Sequence, residues 1–414
     1  MIHTSLYSKT ELENGLRIVT EEIPHVRSVA LGVWITVGSR DENANNNGIS
    51  HFIEHMLFKG TRNRTTRQIA ESLEKVGGSL DAFTTKELTC YSAHVLDEHL
   101  LLSFDVLADI LTNSLFDPTE LEKEKEVILN EINHYKDTPD EMVFEHFYQN
   151  VFPAHPLGFP VYGTKRNVKL FTRKQLLDFF RNGYATNRIV ISAAGHLKHK
   201  EVVDLIQDSF TGLPENKPRI SQTYRHADYV EKVIQDKCTQ AHVCLGTLAY
   251  PYTDDRKFPL MVINTYLGGG MSSLLFQKVR EELGLVYSIF SFLDFSIDNG
   301  LFGIYFSSDK RHIDPILDLI KAELKELSNN TFDEQILTNL KNQLKGNLML
   351  GLESTMARMN RLAKNEIYYN RHFTLDDILE KIDRVSVGDV CNVANELYGN
   401  DSYFTTVLKP MKAI

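Results

Sequence analysis

The same order of predicted strands and helices occurs twice along this chain, and this internal repeat constrains its architecture more than any other feature. Gly32 lies in the segment SVALGVWITVG, and Gly246, at an offset of 214 residues, lies in the similar segment QAHVCLGTLAY. Each half then runs strand, loop, helix, strand pair and long helix. We predict an α+β protein with two homologous domains, 1–213 and 223–414, joined by a polar, proline-containing linker at 214–222. In each domain a mostly antiparallel β-sheet is packed with helices.

Periodicity and β-branched content give the elements of the first half in more detail. In chain order we predict strands at 16–23 and 29–37, helices at 49–58 and 65–76, strands at 80–83 and 89–95, and helices at 97–111 and 119–136. Gly77-Gly78 is expected to end the second helix. Asp117-Pro118 is expected to open the last helix as its cap and first position.

The composition excludes several classes of protein. Hydrophobic residues make up 42% of the 414 residues and charged residues 24%, which is typical of a folded globular chain. The net charge of −10 disfavours nucleic-acid binding. The four cysteines form no CxxC pair, no apolar stretch has the ~18 residues of a membrane span, and the N-terminus has no signal or transit pattern. We therefore predict a cytoplasmic protein that binds neither nucleic acid nor membranes.

The segment His51-Phe52-Ile53-Glu54-His55 is an HxxEH motif. Residues i and i+4 of a helix face the same way, so both imidazoles could bind one metal ion. Glu54 lies beside them and could act on a water molecule at the site, as in the reversed HExxH motif. The alternative is a half-buried helix with two hydrogen-bonded histidines. At the 214-residue offset the second half has Thr265 and Gly269, so the candidate site belongs to the first half.

A third ligand is expected from the helix at 119–136. Glu131 is flanked by apolar residues, which places it near the buried side of that helix, and Glu124 lies two turns earlier on the same stripe. A buried carboxylate needs a compensating charge, which a divalent cation would supply. Two histidines and one carboxylate form a common catalytic zinc site.

His51 and His55, followed 76 residues later by Glu131, resemble the M16 family of zinc peptidases, which includes pitrilysin, insulysin and the mitochondrial processing peptidase. The resemblance extends through HFIEHMLFKGT, GGSLDAFTTKELTCY and GGGMSSLLFQKVREELGLVYS, covers essentially the whole chain, and fits the short, two-repeat branch. It implies one Zn²⁺ per chain, held by His51, His55 and Glu131. Glu54 would be the general base, and Glu124 would take the place of the family's supporting acid.

The same resemblance implies a zinc-dependent endopeptidase whose two domains form a clam-shell chamber. Its substrates would be unfolded peptides or presequence-like segments, and it would pair as a homodimer or with a related subunit. Arg280 and Tyr287 look like the family's substrate clamp. The peptide would be added as an extra β-strand along four residues: Asp81, Ala82, Phe83 and Thr84. The family usually has Asn in place of Asp81, so this carboxylate either favours basic substrates or accepts the same backbone hydrogen bond.

Two alternatives remain. A noncatalytic M16-fold scaffold or companion subunit would have the fold without the chemistry, and the intact motif argues against it. A di-iron carboxylate bundle is suggested by the ExxH at Glu131–His134, but it needs a second ExxH and two further glutamates on facing helices. The strand-rich pattern does not supply them. The glycines 268–270 match neither phosphate-binding motif.

Overall fold

The computed structural model describes residues 6–210, 212–214, 228–329 and 332–411, which form two compact units. Of the described residues, the first unit comprises 6–134, 159–210, 212–214 and 351–372, and the second comprises 135–158, 228–329, 332–350 and 373–411. Apart from Pro214, the expected linker at 214–222 lies outside the described residues.

The strands of the described chain are β1 Leu6–Glu11, β2 Arg17–Glu22, β3 Ser28–Ile35, β4 Ser79–Thr84, β5 Thr89–Leu96, β6 Ile189–Gly195, β7 Glu231–Asp236, β8 Ala241–Ala249, β9 Val286–Phe295, β10 Gly300–Ser308 and β11 Phe404–Pro410. The helices are α1 Ile49–Leu57, α2 Thr66–Glu74, α3 Leu100–Thr112, α4 Pro118–Lys136, α5 Pro139–Val151, α6 Lys165–Leu170, α7 Arg173–Gly183, α8 His199–Ser209, α9 Lys257–Gly268, α10 Ile313–Asn329, α11 Glu334–Gly351, α12 Thr355–Tyr369, α13 Leu375–Asp383 and α14 Val387–Tyr398. All eight elements predicted for the first half are confirmed, with ends that differ by at most three residues.

The two sheets repeat one strand order, which confirms the predicted α+β class and the internal repeat. The first sheet runs β1-β2-β6-β3-β5-β4, and the second runs β7-β11-β8-β10-β9. In both sheets one pair of neighbours is parallel, β2 with β6 and β7 with β11, and the other pairs are antiparallel. Gly32 and Gly246 lie on corresponding strands, β3 and β8, each third from the edge of its sheet.

The 214-residue offset fails at the helix that follows these strands. Helix α1 begins 14 residues after β3 ends, whereas α9 begins eight residues after β8 ends, so the connection is shorter in the second unit. Counted from the helix start, the positions of His51 and His55 correspond to Pro259 and Ile263 on α9. The expected correspondence with Thr265 and Gly269 is therefore wrong in register. Neither Pro259 nor Ile263 can bind a metal through its side chain.

Two helices pack on a sheet that lies on the other side of the expected linker. Helix α12 belongs to the first unit, where Met359 packs in a buried cluster with Trp34 and accepts a hydrogen bond from its indole Nε1 at 3.4 Å. Helix α5 belongs to the second unit, where Phe147 packs with Phe404 of β11. The strands of the first sheet all precede residue 213 and those of the second all follow 223, whereas these two helices are exchanged.

The local signals at two helix ends act as expected. The Asp117 carboxylate accepts hydrogen bonds from the backbone N–H groups of Thr119 at 2.8 Å and Glu120 at 3.1 Å, and so caps α4. Gly77 has a φ of 74°, and the N–H of Gly78 donates to the carbonyl of Leu73 as α2 ends. None of the described helices is both long and apolar enough to cross a membrane.

Candidate metal centre

Helix α1 places the imidazoles of His51 and His55 side by side. Their ring centroids lie 4.5 Å apart, and their Nε2 atoms are separated by 3.2 Å. His51 is buried and His55 is partly exposed. The i, i+4 spacing on a helix accounts for this convergence, because both side chains leave the same face one turn apart.

Helix α4 brings the carboxylate of Glu131 to both imidazoles. Its Oε1 lies 3.6 Å from Nε2 of His51, and its Oε2 lies 3.7 Å from Nε2 of His55. A tetrahedral zinc ion with bonds of about 2.1 Å requires neighbouring donor atoms about 3.4 Å apart. The two nitrogens lie 3.2 Å apart, and Glu131 approaches them with a different oxygen each, at 3.6 and 3.7 Å, so the three residues surround a position that a divalent cation could occupy.

Glu54 lies in the same cluster but is held to the sheet. Its carboxylate offers a donor atom within 4.8 Å of those of the two histidines. The Thr84 hydroxyl donates a hydrogen bond of 2.5 Å to Oε2 of Glu54. Because Thr84 is the last residue of β4, this contact ties the acid to the edge of the sheet. The cluster therefore contains two carboxylates, one bridging the imidazoles and one anchored to β4.

Glu124 and Lys59 support His55 from the side away from His51. Nδ1 of His55 lies 2.8 Å from Oε1 of Glu124, and the ammonium group of Lys59 lies 2.7 Å from Oε2 of the same carboxylate. A proton on Nδ1 directed at Glu124 leaves the lone pair of Nε2 available towards His51 and Glu131. Sequence reasoning missed Lys59. Its position four residues after His55 is the signal that could have indicated it.

The two histidines differ in basicity. Burial, aided by the charge of His55, lowers the pKa of His51 to about 3. Burial also disfavours protonation of His55, but the hydrogen bond that its Nδ1–H donates to Glu124 and the charges of the surrounding carboxylates outweigh burial and raise its pKa. His51 is therefore neutral over the physiological range, and His55 is the group at which protons would compete with a metal ion bound there.

The three carboxylates are also perturbed. Burial raises the pKa of Glu54, and the Thr84 hydroxyl only partly offsets that effect. Burial raises the pKa of Glu131 as well. Burial acts in the same direction on Glu124, but its hydrogen bonds with His55 and Lys59 prevail and hold its pKa below the ordinary value. Glu124 thus carries the most firmly ionised carboxylate of the three.

The strand expected to receive a peptide lies at an edge of its sheet. Within the described chain β4 pairs only with β5, from Ser79 opposite His94 to Thr84 opposite Thr89. The Phe83 ring is 39% exposed and lies edge-on to Trp34 at 5.5 Å. Ala82 and Thr84 are partly buried, whereas Asp81 is exposed and its carboxylate accepts no hydrogen bond from the described residues. Asp81 is thus available to a bound molecule.

Arg280 and Tyr287 lie in the second unit. Arg280 belongs to a short π-helical segment, Phe276–Glu282, and its guanidinium carbon lies 5.5 Å from the centre of the Tyr287 ring. Tyr287 is on the edge strand β9 and is 77% exposed. The two side chains are thus neighbours in the second unit, and their role as a substrate clamp stays a prediction.

Comparison with known proteins identifies the family. A family model described as Insulinase (Peptidase family M16) matches residues 17–165, and one described as Peptidase M16 inactive domain matches residues 170–344. YmxG, an uncharacterized zinc protease of Bacillus subtilis, is 41% identical over 399 residues, which cover 96% of this chain and 97% of the relative. An uncharacterized zinc protease of Rickettsia felis is 34% identical over 397 residues, covering 95% of each chain.

Solved structures share the fold. A protease from Helicobacter pylori superposes with a TM-score of 0.90 at 21% identity, covering 98% of this chain and 100% of the other. A Pseudomonas fluorescens structure described as a peptidase M16 inactive domain also gives 0.90, at 20% identity, with 98% and 99% covered. Two sheets of one strand order, with paired histidines on the first helix after β3, define a two-repeat HxxEH protein. The chain belongs to peptidase family M16, which confirms the resemblance read from the motifs.

Proposed function

We propose that this chain is a zinc-dependent endopeptidase that hydrolyses unfolded peptides or presequence-like segments. The observation that carries the proposal is the convergence of His51, His55 and Glu131: the two Nε2 atoms lie 3.2 Å apart, and one oxygen of Glu131 lies within 3.7 Å of each, close to the donor separations of a zinc site. Relatives named zinc proteases, similar over nearly the whole chain, support it.

In this proposal His51, His55 and Glu131 hold one Zn²⁺. Glu131 is the better third ligand because one of its oxygens lies near each Nε2 atom. Glu54, in contrast, is held by a hydrogen bond from Thr84. Glu131 also supplies the negative charge that two neutral imidazoles lack. When bound, the cation supplies Lewis-acid chemistry, polarising a carbonyl oxygen and making water more acidic.

Glu54 has the position and the basicity of a proton carrier. It accepts a proton from the attacking water and returns it to the amine that leaves when the peptide bond breaks. Its raised pKa brings it closer to the working pH, which favours transfer in both directions. The Thr84 hydroxyl fixes one oxygen of Glu54 and leaves the other for the reaction.

The substrate is proposed to extend β4 as an added strand. Within the described residues no strand pairs with the outer edge of β4, and hydrogen bonds to its backbone groups select an extended backbone rather than a particular sequence. Phe83 offers apolar contact, and the free carboxylate of Asp81 favours a basic or hydrogen-bond-donating group. Thr84 is the last residue of this strand and donates a hydrogen bond to Glu54, so a peptide lying along β4 would run towards the metal centre.

The proposal is tested by metal content and cleavage together. We expect one zinc per chain by elemental analysis, and cleavage of a mixed peptide library that a chelator abolishes and added zinc restores. Cleavage with iron instead of zinc would favour the di-iron alternative. Absence of both metal and cleavage would favour a noncatalytic scaffold or companion subunit.

Metal binding should depend on pH through His55. Its pKa is raised above the usual 6.5, so as the pH falls through that raised value His55 gains a proton that excludes the metal. We expect the apparent metal affinity to fall about tenfold per pH unit below it, since one proton competes with one ion. Co²⁺ titrations from about pH 5 to 8 would measure this.

A matched variant tests the cause of that pH dependence. The hydrogen bond that His55 donates to the Glu124 carboxylate raises the pKa of His55, so Glu124→Gln should move the midpoint to lower pH. A midpoint that stays in place or moves to higher pH would contradict the assignment.

A further inference from the structure

A buried carboxylate holds the start of the helix that carries both histidines. Glu42 has no solvent exposure. Its Oε2 accepts hydrogen bonds from the backbone N–H of Gly48 at 2.7 Å and from the side-chain amide of Asn47 at 2.9 Å. Its Oε1 accepts one from the backbone N–H of Ser50 at 2.8 Å. Glu42 thus binds the chain immediately before His51.

This carboxylate replaces a cap that the local sequence cannot supply. The cap position of α1 is Gly48, which has a φ of 97° and no side chain. A Cβ at Gly48 would lie 2.7 Å from Cα of Gly163, so a capping side chain would not fit there. The first N–H groups of a helix need acceptors, and the positive end of its dipole favours an anion. Glu42, six residues before Gly48, supplies these acceptors, and complete burial raises its pKa to about 7.

The loop Gly38–Glu42 also holds the turn between β4 and β5. The backbone N–H groups of Ser39 and Arg40 donate to the carbonyls of Thr85 and Lys86, at 3.2 and 2.7 Å. Arg40 forms an ion pair of 2.6 Å with Glu87, in which both side chains are buried. One loop therefore contacts both α1 and the β4–β5 hairpin. Strand β4 of that hairpin ends at Thr84, which donates a hydrogen bond to Glu54.

We propose that Glu42 is a positioning residue that sets the rotation of α1 and thereby aims His51 and His55 at Glu131. Successive residues of a helix are rotated by about 100°, so a rotation of α1 about its axis by one residue step would turn both imidazoles away from α4. Glu42 acts on α1 through the backbone N–H groups of Gly48 and Ser50, which donate to its carboxylate. The inference rests on the proposed function for the identity of the metal ligands.

The test measures Co²⁺ binding to the full chain, because this ion substitutes for zinc and its visible spectrum reports ligand geometry. In Glu42→Gln the side chain keeps its shape, but its amide NH₂ group faces N–H groups that are themselves hydrogen-bond donors. We expect the Co²⁺ affinity to fall by ~10–100-fold, as for other residues that orient a metal ligand, with a changed spectrum. Glu42→Asp keeps the accepting carboxyl group but withdraws it by one methylene, and the Co²⁺ affinity of this variant should lie between those of the wild type and Glu42→Gln.

Glu21→Gln is the matched control. Glu21 is also a buried carboxylate of the first unit, but it pairs with Arg358 of α12 and contacts neither α1 nor its cap. We expect it to lower the thermal midpoint while the Co²⁺ affinity and spectrum stay within about twofold of wild type. If Glu42→Gln does not fold, Glu42→Asp is compared with Glu21→Gln by the same criteria.

Two results would overturn the inference: wild-type Co²⁺ binding by the Glu42 variants, or an equal loss of affinity in the Glu21 control. The same experiment separates this inference from the proposed function. Wild-type protein that binds Co²⁺ in the expected geometry but cleaves no peptide would refute the peptidase, while the loss in Glu42→Gln would still support the positioning role.

Discussion

Replacing Glu54 by Gln is expected to abolish peptide cleavage and leave the zinc in place. Glutamine has the same shape, and its amide oxygen can still accept the hydrogen bond from Thr84 that the carboxylate accepts at 2.5 Å. It cannot take up a proton at any working pH. General-base catalysis contributes about 10²–10⁴-fold to a rate, so kcat should fall by at least that factor. A quenched fluorescent peptide would measure kcat, and elemental analysis would measure zinc.

Two comparison variants make that result specific. Glu126→Gln changes an exposed glutamate of α4 and should leave kcat and zinc unchanged. Thr84→Val removes the hydroxyl but keeps Glu54, so kcat should fall less than in Glu54→Gln. Loss of zinc in Glu54→Gln, with zinc retained in Glu131→Gln, would mean that Glu54 is the ligand and Glu131 is not.

The sequence predicts the elements of this centre because their signals are local. Gly48 marks the start of α1, and the i, i+4 spacing alone brings His51 and His55 together. The strand and helix periods of the first half follow from which side chains are buried, which the residue types largely determine. Glu131 could be chosen from its apolar neighbours, of which Ile128 and Ile132 are buried.

The contacts that organise the centre depend on tertiary structure and have no local signal in the sequence. Thr84 and Glu54 are 30 residues apart, and their hydrogen bond exists because an edge strand lies beside α1. Strand β1 was not predicted because its six residues are exposed or half-buried at the sheet edge and show no apolar alternation. The apolar face of α12 indicates burial but not which of two similar sheets it covers.

Glu131→Gln is expected to cause a larger loss of zinc than any other single change on α4. The substitution removes the one negatively charged residue of the proposed ligand set and leaves two neutral imidazoles to hold a dication. The loss of affinity should exceed the ~10–100-fold that a supporting residue typically costs. The loss of zinc affinity in Glu124→Gln should fall within that range, because a glutamine oxygen can still accept the hydrogen bond from Nδ1 of His55. Competition with a chelator of known affinity would give both dissociation constants, with Glu126→Gln as the control on the same helix.

The order of these two losses tests the geometry directly. The Glu131 oxygens lie beside Nε2 of His51 and His55, whereas Glu124 lies beside Nδ1, on the opposite side of the His55 ring. A metal ion bound by both Nε2 atoms is therefore within reach of Glu131 and separated from Glu124 by the imidazole. Glu124 can affect that ion only through the orientation and basicity of His55. If Glu124→Gln lost its zinc while Glu131→Gln kept it, the ion would have to be bound at Nδ1, and the assignment of ligand and supporting acid would be reversed.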